Sequence, residues 1–353
     1  MRIKKATKRY ETWLGKQLTI VPADLALKHI RMGEEPFPFL RATFYRWVQV
    51  WLQAFPDLAR APRVLAVGDL HVENFGTWRD IEGRLIWGIN DFDEAWRLPY
   101  TNDLIRLAAS ALLAEMGCDA KAGMDAILKG YGAALEAGGR PFVLAEHHPA
   151  LRHMATARLH DPEPYWQKLR ALAQSEKQCP AGVSKALDRM MPERGLRWRE
   201  AHRIAGLGSL GRERYVALAE WRGGSVAREA KALAPSACVW AANGKGTAAI
   251  LYQKILDCAV RCRDPFVRLQ RRWIVRRLAP DCSRIELSAL PKEHDVLRLL
   301  NAMGWETANI HLGSGRATTL RADLKKRPRG WLLDAARAME KAVKGDFEAY
   351  GGG

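Results

Sequence analysis

Apolar residues recur near helical spacing in the first sixty residues of the chain. The clearest members of this pattern are Phe37, Leu40, Phe44, Trp47, Val48 and Trp51. Separations of three and four residues place these side chains on one face of a helix, and Pro56 and Pro62 follow as natural helix breakers. The pattern predicts a helical segment with a buried face.

After residue 63, short continuous apolar runs replace the helical spacing of apolar residues and indicate strands. VLAV at 64–67 and LIWGI at 85–89 predict two strands that flank a loop. Helical patterns then return at 104–116, 124–135 and 163–173, separated by Gly and Pro.

A second regime begins near residue 198. Glycines at a bend, an alternating run and a Gly-Gly turn predict a three-stranded meander that ends near residue 233. A helix is predicted over 246–262, strands over 273–278 and 284–287, and charged helices over 292–311 and 331–350. No internal repeat is visible.

Composition excludes several classes of protein. The 353 residues include 56 Lys and Arg against 39 Asp and Glu, a formal net charge of +17, and 48% are hydrophobic. These values exclude a disordered, collagen-like or disulfide-rich chain, and the length suits two domains or one two-lobed unit. The six cysteines form no CxxC pair, the basic N-terminus precedes no apolar signal region, and Arg106 interrupts the longest apolar stretch. We therefore expect a cytoplasmic protein with no membrane partner.

Acidic and amide side chains follow the two predicted strands. Asp69 and Asn74 lie in VGDLHVENFG, and Asp91 and Asp93 lie in INDFDEA. Residues of these types are common in turns, but hard oxygen ligands clustered after two strands also suit Mg²⁺. The pattern favours a magnesium site.

GDLHVEN resembles the catalytic loop of the protein-kinase and aminoglycoside-phosphotransferase superfamily. The resemblance implies that Asp69 orients an acceptor hydroxyl and that Asn74 binds metal. It also implies that Asp91 holds the Mg²⁺ of ATP, that Asp93 assists, and that Asp103 has the structural role of bracing the catalytic loop.

Four longer motifs are similar to the DUF2252 family, a bacterial family of unknown function. The resemblance covers most of residues 30–315. Its motifs are PFPFLRATF, VGDLHVENFG, INDFDEAWRLPYTNDLIRLAAS and IAGLGSLGRERYVAL.

The glycines of GLGSLG admit two interpretations. A dinucleotide fold places such glycines between a strand and a helix, whereas a kinase places them in a hairpin over the ATP phosphates. The alternating run that follows favours the hairpin and puts Lys231 on the next strand, where a phosphate-binding lysine belongs. The nucleotide-binding residues would then be Gly206, Gly208, Ser209, Gly211 and Lys231.

Lys231 has no obvious acidic partner on a following helix, and Glu220 and Glu229 are the candidates nearby. Asp69 and His71 match the Asp-x-His opening of binuclear metallophosphoesterases, but no Gly-Asn-His segment appears and the remaining histidines lack the acidic and histidine partners of such a site. We therefore expect His71 to brace its loop. NGKGT at 243–247 lacks the first glycine of a Walker loop.

These observations together predict an α/β (α+β) chain with a two-lobed, kinase-like fold in circularly permuted order. A helical lobe would span 1–195, a small antiparallel sheet lobe 198–290, and a helical segment 291–353 would return to the large lobe. The predicted function is ATP- and Mg²⁺-dependent phosphoryl transfer to a hydroxyl acceptor. A nucleotide-binding pseudokinase, a nucleotidyl transferase and a dinucleotide-binding protein remain alternatives. A nucleic-acid-binding protein is a further alternative, although the basic runs are interleaved with apolar and acidic residues that suit a solvated surface.

Overall fold

The structure is a computed structural model that describes residues 1–144, 146, 148–156, 161–174, 178–243, 248–282 and 293–351. The helices are α1 (Ile3–Gln17), α2 (Pro22–Met32), α3 (Pro36–Ala42), α4 (Phe44–Ala54), α5 (Tyr100–Leu113), α6 (Ala120–Ala137), α7 (Pro149–Thr156), α8 (Glu163–Arg170), α9 (Ala181–Met190), α10 (Ala237–Ala241), α11 (Tyr252–Cys258), α12 (Glu293–Leu312), α13 (Ala317–Lys326) and α14 (Trp331–Tyr350). The strands are β1 (Arg63–Ala66), β2 (Phe75–Arg79), β3 (Leu85–Ile89), β4 (Trp96–Pro99), β5 (Phe142–Val143), β6 (Arg199–His202), β7 (Arg214–Trp221), β8 (Gly224–Ala232), β9 (Arg268–Gln270) and β10 (Trp273–Leu278).

The described strands form three small sheets, and every pairing in them is antiparallel. The largest sheet has the order β6-β7-β8-β10-β9, while β1 pairs with β4 and β2-β3-β5 form a third sheet. Helices and small antiparallel sheets occupy separate stretches of the chain, so the fold is α+β, as the sequence predicts.

The predicted meander is confirmed. β6, β7 and β8 follow one another in the sheet, and the β7–β8 turn uses Arg222 and Gly223 at positive φ, the backbone that a tight hairpin turn requires. β10 begins and ends where the strand at 273–278 is predicted, and α14 does so for the helix at 331–350.

Two predicted elements differ from the structure. The prediction of a helix over 246–262 is wrong in its bounds. α11 spans only Tyr252–Cys258, and the backbone adopts an extended conformation at Ala259. There Arg261 donates a hydrogen bond to the Ile89 carbonyl, a contact outside the helix. The strand predicted over 284–287 lies outside the described residues. β9 was not predicted, because three residues are too few to show alternation.

α5 lies at the centre of the main apolar core and is buried around nearly its whole circumference. α6 and α12 both contact α5 and pack closely against each other. A Cβ atom on Gly130 of α6 would lie 1.9 Å from the Asn301 carbonyl oxygen of α12, and one on Gly304 of α12 would lie 2.1 Å from that of Ile127. Two smaller apolar clusters cover the five-stranded sheet. Among the described helices, none combines the length and apolar character needed to cross a bilayer.

Candidate functional site

Asn74 joins the two acidic loops that follow β1 and β3. Its Nδ2 atom donates to the backbone carbonyl oxygens of Asp69, at 3.2 Å, and Asp91, at 3.1 Å. Its Oδ1 atom accepts from the Asp91 amide at 3.1 Å. Asp69 and Asp91 are 22 positions apart in the chain, and this one buried amide holds their backbones side by side.

Asp103 holds in place the loop that follows β1. Its carboxylate, fully buried on α5, accepts hydrogen bonds from the amides of Val67 at 2.7 Å and Gly68 at 3.0 Å. His311 of α12 lies 3.0 Å from the same carboxylate and 2.9 Å from the Tyr131 hydroxyl. The loop that carries Asp69 is therefore fixed by a buried chain of polar groups.

Arg106, three residues further along α5, is paired with the Asp69 carboxylate. Its Nε atom donates to Oδ1 at 2.9 Å, and Nη2 also contacts Oδ1 and donates to the Leu40 carbonyl. The guanidinium is fully buried and stacks on the rings of Phe44 and Trp47. Oδ1 is thus held by Arg106, while Oδ2 lies on the side of Gly208.

Lys231 meets the second acidic loop. The side chain leaves β8, and its Nζ atom lies 2.7 Å from Asp93 Oδ2 and 3.2 Å from Asp91 Oδ2. Neither acid proposed from sequence is its partner: Glu229 is bound by arginines, and Glu220 is an exposed residue near the hairpin turn. The pairing could not be predicted from the sequence because Lys231 and Asp91 are 140 residues apart in the chain.

The GLGSLG loop connects β6 to β7 and covers Asp69. Gly206 and Gly211 have φ of +72° and +90°, and residues 207–209 form one 3-10 turn between them. A Cβ atom on Gly208 would lie 2.9 Å from the Arg41 carbonyl oxygen and 3.5 Å from Asp69 Oδ2. Because a strand follows Gly211, the strand, glycine turn and helix of a dinucleotide fold are not formed here.

The N-terminal helices hold this loop in place. Lys28 of α2 donates from Nζ to the Gly208 carbonyl at 3.2 Å, and the Val21 amide donates to the Gly211 carbonyl at 2.8 Å. The Ser209 hydroxyl donates to the Gly206 carbonyl at 3.1 Å and accepts from Arg214. The Ser209 hydroxyl is therefore already hydrogen-bonded within the loop and to β7.

Arg212 and Glu94 complete the buried charges. Arg212 lies 3.4 Å from Asp93 and 3.3 Å from Glu94. Glu94 accepts in addition from the Ala237 amide at 2.6 Å, and Ser236 donates to its backbone carbonyl. Acids and bases therefore alternate from Glu94 through Arg212 and Asp93 to Lys231, which balances charge inside the protein.

The carboxyl groups differ in proton affinity. Burial raises the pKa of Asp69 above its ordinary value, although Arg106 opposes the rise. Burial acts in the same direction on Asp91, but the ammonium of Lys231 outweighs it and holds the pKa of Asp91 well below the usual range. Burial and the neighbouring Asp91 charge raise the pKa of Asp93, and burial raises that of Glu94 to about 7. Neighbouring carboxyls with separated pKa values are typical of functional sites.

These groups line a cavity of about 50 Å³ between the glycine loop and the acidic loops. His71 also lines it, with its ring edge-on to Phe37. A larger cavity of about 420 Å³ adjoins it, since Asp91 and Gly206 line both. The predicted residues bordering the smaller cavity are Asp69, His71, Asn74, Asp91, Asp93, Gly206, Gly208 and Ser209. Lys231 contacts Asp91 and Asp93, which line the cavity, and Gly211 is the last residue of the glycine loop that covers it. Asp103 is not a lining residue and instead holds the backbone just before Asp69.

Oxygen atoms at this site suit a hard cation. Asp93 Oδ1 is buried with no hydrogen-bond partner in the described structure, and Asp91 is adjacent. Within the described ranges, no three His, Cys, Asp or Glu side chains form a ready metal cluster. The protein would thus supply only a few ligands, as Mg²⁺ accepts when water and phosphate oxygens complete its shell.

Sequence reasoning missed Arg106, Arg212 and Glu94. Arg106 carried a signal, since a charged residue in the otherwise apolar 104–116 stretch must find a buried partner. Glu94 lies within INDFDEA and Arg212 directly follows GLGSLG, but nothing in their spacing indicates that they meet.

Comparison with known proteins identifies a family. The family model described as "Uncharacterized protein conserved in bacteria (DUF2252)" matches residues 20–135 and 170–352. No curated protein and no solved structure matches the chain significantly. The matched ranges cover most of the chain and include every residue of the site.

Proposed function

The chain belongs to the DUF2252 family, and we propose that it is an ATP- and Mg²⁺-dependent phosphotransferase that acts on a hydroxyl acceptor. The observation that carries the proposal is the junction of two distant segments. Lys231, on the strand after the glycine hairpin, is ion-paired to Asp91 and Asp93. Gly208 of that hairpin lies against Asp69.

The combination supports a kinase-like fold in permuted order. A glycine hairpin followed by a lysine strand is the phosphate-binding unit of kinases, and two acidic loops after short strands are their catalytic and metal-binding unit. Here the acidic loops come first in the chain. Because catalysis depends on positions in space, chain order does not alter the chemistry.

Asp69 is the proposed general base. Its raised pKa and its position under the glycine loop suit a carboxylate that takes the proton of an acceptor hydroxyl as that oxygen bonds to the γ-phosphorus. The bond from the γ-phosphorus to the β,γ-bridging oxygen breaks, and ADP leaves. Arg106 holds Oδ1 and leaves Oδ2 for the acceptor.

The charges opposite Asp69 would bind the phosphates. Asp91 and Asp93, with the Asn74 amide oxygen beside them, would hold Mg²⁺, which would supply positive charge for the phosphate oxygens. Lys231 must then exchange its carboxylate partners for a phosphate oxygen.

Untargeted metabolite profiling tests the proposal. Wild-type protein and Asp69→Asn are incubated with cell extract metabolites, Mg²⁺ and ATP labelled with ¹⁸O in the γ-phosphoryl group. We expect a labelled phosphate ester with wild-type protein alone. Tight ATP binding without a labelled product would favour the pseudokinase, and labelled pyrophosphate release with adenylated products would favour nucleotidyl transfer.

A further inference from the structure

The larger cavity beside the site is lined by more positive than negative charge. Six arginines border it against three carboxylates, those of Asp91, Asp257 and Asp264. The arginines are Arg203, Arg214, Arg261, Arg263, Arg276 and Arg277. A cavity for an uncharged ligand is lined mostly by apolar groups, so this lining indicates an anionic ligand.

Glu229 organises half of these arginines. It lies on β8 two residues before Lys231, so the two side chains leave the same face of the strand. Arg203 donates to Oε2 at 2.7 Å, while Arg214 and Arg276 donate to Oε1 at 2.6 and 2.8 Å. Burial disfavours the charged carboxyl, but these three arginines hold the pKa of Glu229 well below its usual value. One carboxylate and three guanidiniums give this cluster a net charge of +2, a surplus of two positive charges.

The surplus faces the cavity. Arg214 is 3% exposed, whereas Arg203 and Arg276 each keep 26% of the side chain exposed. Arg203 uses only Nη1 on Glu229, which leaves Nε and Nη2 available for another acceptor. Arg261, stacked between Trp78 and Phe92, has a buried Nε atom with no hydrogen-bond partner in the described structure.

We propose that this cavity binds a phosphate group of a small-molecule ligand, with Arg203 and Arg276 as the principal contacts. The net charge of +2 in the cluster of Glu229 and its three arginines matches a phosphate dianion, and the forked donors of the guanidiniums match its oxygens. The proposal deepens the proposed function and rests on it for the identity of the ligand as a phosphoryl-transfer substrate. The phosphate belongs either to the nucleotide or to a phosphorylated acceptor.

Isothermal titration with inorganic phosphate at constant ionic strength tests the cavity. Arg203→Gln removes one charge and leaves two arginines on Glu229, so the sheet retains its ion pairs. Arg263→Gln, on a largely exposed side chain, is the second cavity variant. Arg268→Gln, at the exposed first residue of β9 and outside the cavity lining, is the matched control. Thermal unfolding establishes that each variant is folded.

We expect Arg203→Gln to weaken phosphate binding at least tenfold, because a charge-assisted contact is lost. Arg203→Lys should lose less, and Arg268→Gln should equal the wild type. Equal phosphate affinity in both cavity variants and the control would overturn the proposal.

A second titration with Mg²⁺–ATP identifies the source of the phosphate. Competition between ATP and phosphate, with weaker ATP binding in Arg203→Gln, assigns the cavity to the nucleotide's phosphates. Simultaneous binding assigns it to the acceptor, and both results support the cavity. Asp91→Ala should lose Mg²⁺–ATP and retain phosphate. Wild-type protein that binds phosphate through Arg203 but never binds ATP would contradict the proposed function alone.

Discussion

Arg106 and Asp69 form a buried ion pair in which Nε of the arginine lies 2.9 Å from Oδ1 of the aspartate. The arginine has no exposed surface, while about a fifth of the aspartate side chain remains accessible. The pair orients the carboxylate and opposes the rise in its pKa that burial causes. Both effects bear on the proposed proton transfer.

Replacing Arg106 by Met should raise the pKa of Asp69 further, because the strongest influence that opposes burial would be lost. The pH at which phosphotransferase activity reaches half its maximum should move upward. Loss of the ion pair should also lower the free energy of unfolding by about 3 kcal/mol. A pH–rate profile and denaturant unfolding measure the two effects.

Arg46→Met is the control for that experiment, because Arg46 is paired with Asp346 outside the cavity. It should lower stability and leave the pH profile unchanged. An unchanged profile in Arg106→Met would mean that Asp69 is not the group whose ionisation limits the rate.

Asp69→Asn and Asp91→Ala should separate chemistry from binding. Asp69→Asn can still accept from Arg106 and should bind Mg²⁺–ATP with nearly wild-type affinity, yet lose at least a hundredfold in kcat. Asp91→Ala removes a proposed metal ligand and should abolish Mg²⁺-dependent ATP binding. Isothermal titration gives the affinities. If Asp91→Ala binds Mg²⁺–ATP normally, Asp91 does not hold the metal.

Gly208→Ala should reduce activity more than stability. The new methyl group would lie 2.9 Å from the Arg41 carbonyl oxygen and 3.5 Å from Asp69 Oδ2, so the loop over Asp69 must shift. We expect at least a tenfold fall in kcat/KM and a cost of about 1 to 3 kcal/mol in stability. Gly224→Ala, in the other hairpin with its nearest contact at 3.9 Å, is the matched control and should keep wild-type activity.

Glu94 should make the wild-type protein less stable as pH rises. Its pKa is about 7 in the folded protein against 4.5 ordinarily, because of burial. Between these values the unfolded chain has lost a proton that the native state retains, so rising pH favours unfolding. The contribution is complete below pH 4.5 and absent above pH 7, and amounts to about 3 kcal/mol.

Glu94→Gln should remove this pH dependence. The difference in unfolding free energy between wild type and variant, measured in denaturant from pH 4 to pH 8, should fall with rising pH. A difference that stays constant over the range would show that Glu94 titrates alike in the folded and unfolded chains.

Much of the site could be predicted because its parts are local in sequence. VLAV and LIWGI specify buried strands by their apolar runs, and the polar residues that follow each strand must emerge at its end. The β7–β8 hairpin could likewise be predicted, since alternation and a Gly-Gly turn both act within a few residues. These patterns predict that Asp69 and Asn74 come after the end of a strand and that Lys231 lies on one.

Only the tertiary structure decided which charges meet. Lys231 pairs with Asp91 and Asp93 rather than with Glu229, although Glu229 is two residues away on the same strand. Arg106 could be recognised as a buried charge, but not as the partner of Asp69. Periodicity in a sequence specifies which face of a strand or helix a side chain occupies, whereas the partner across that face depends on how distant elements pack. Buried charges are stable only when paired, so packing selects the pairs, and the pairs in turn form the site.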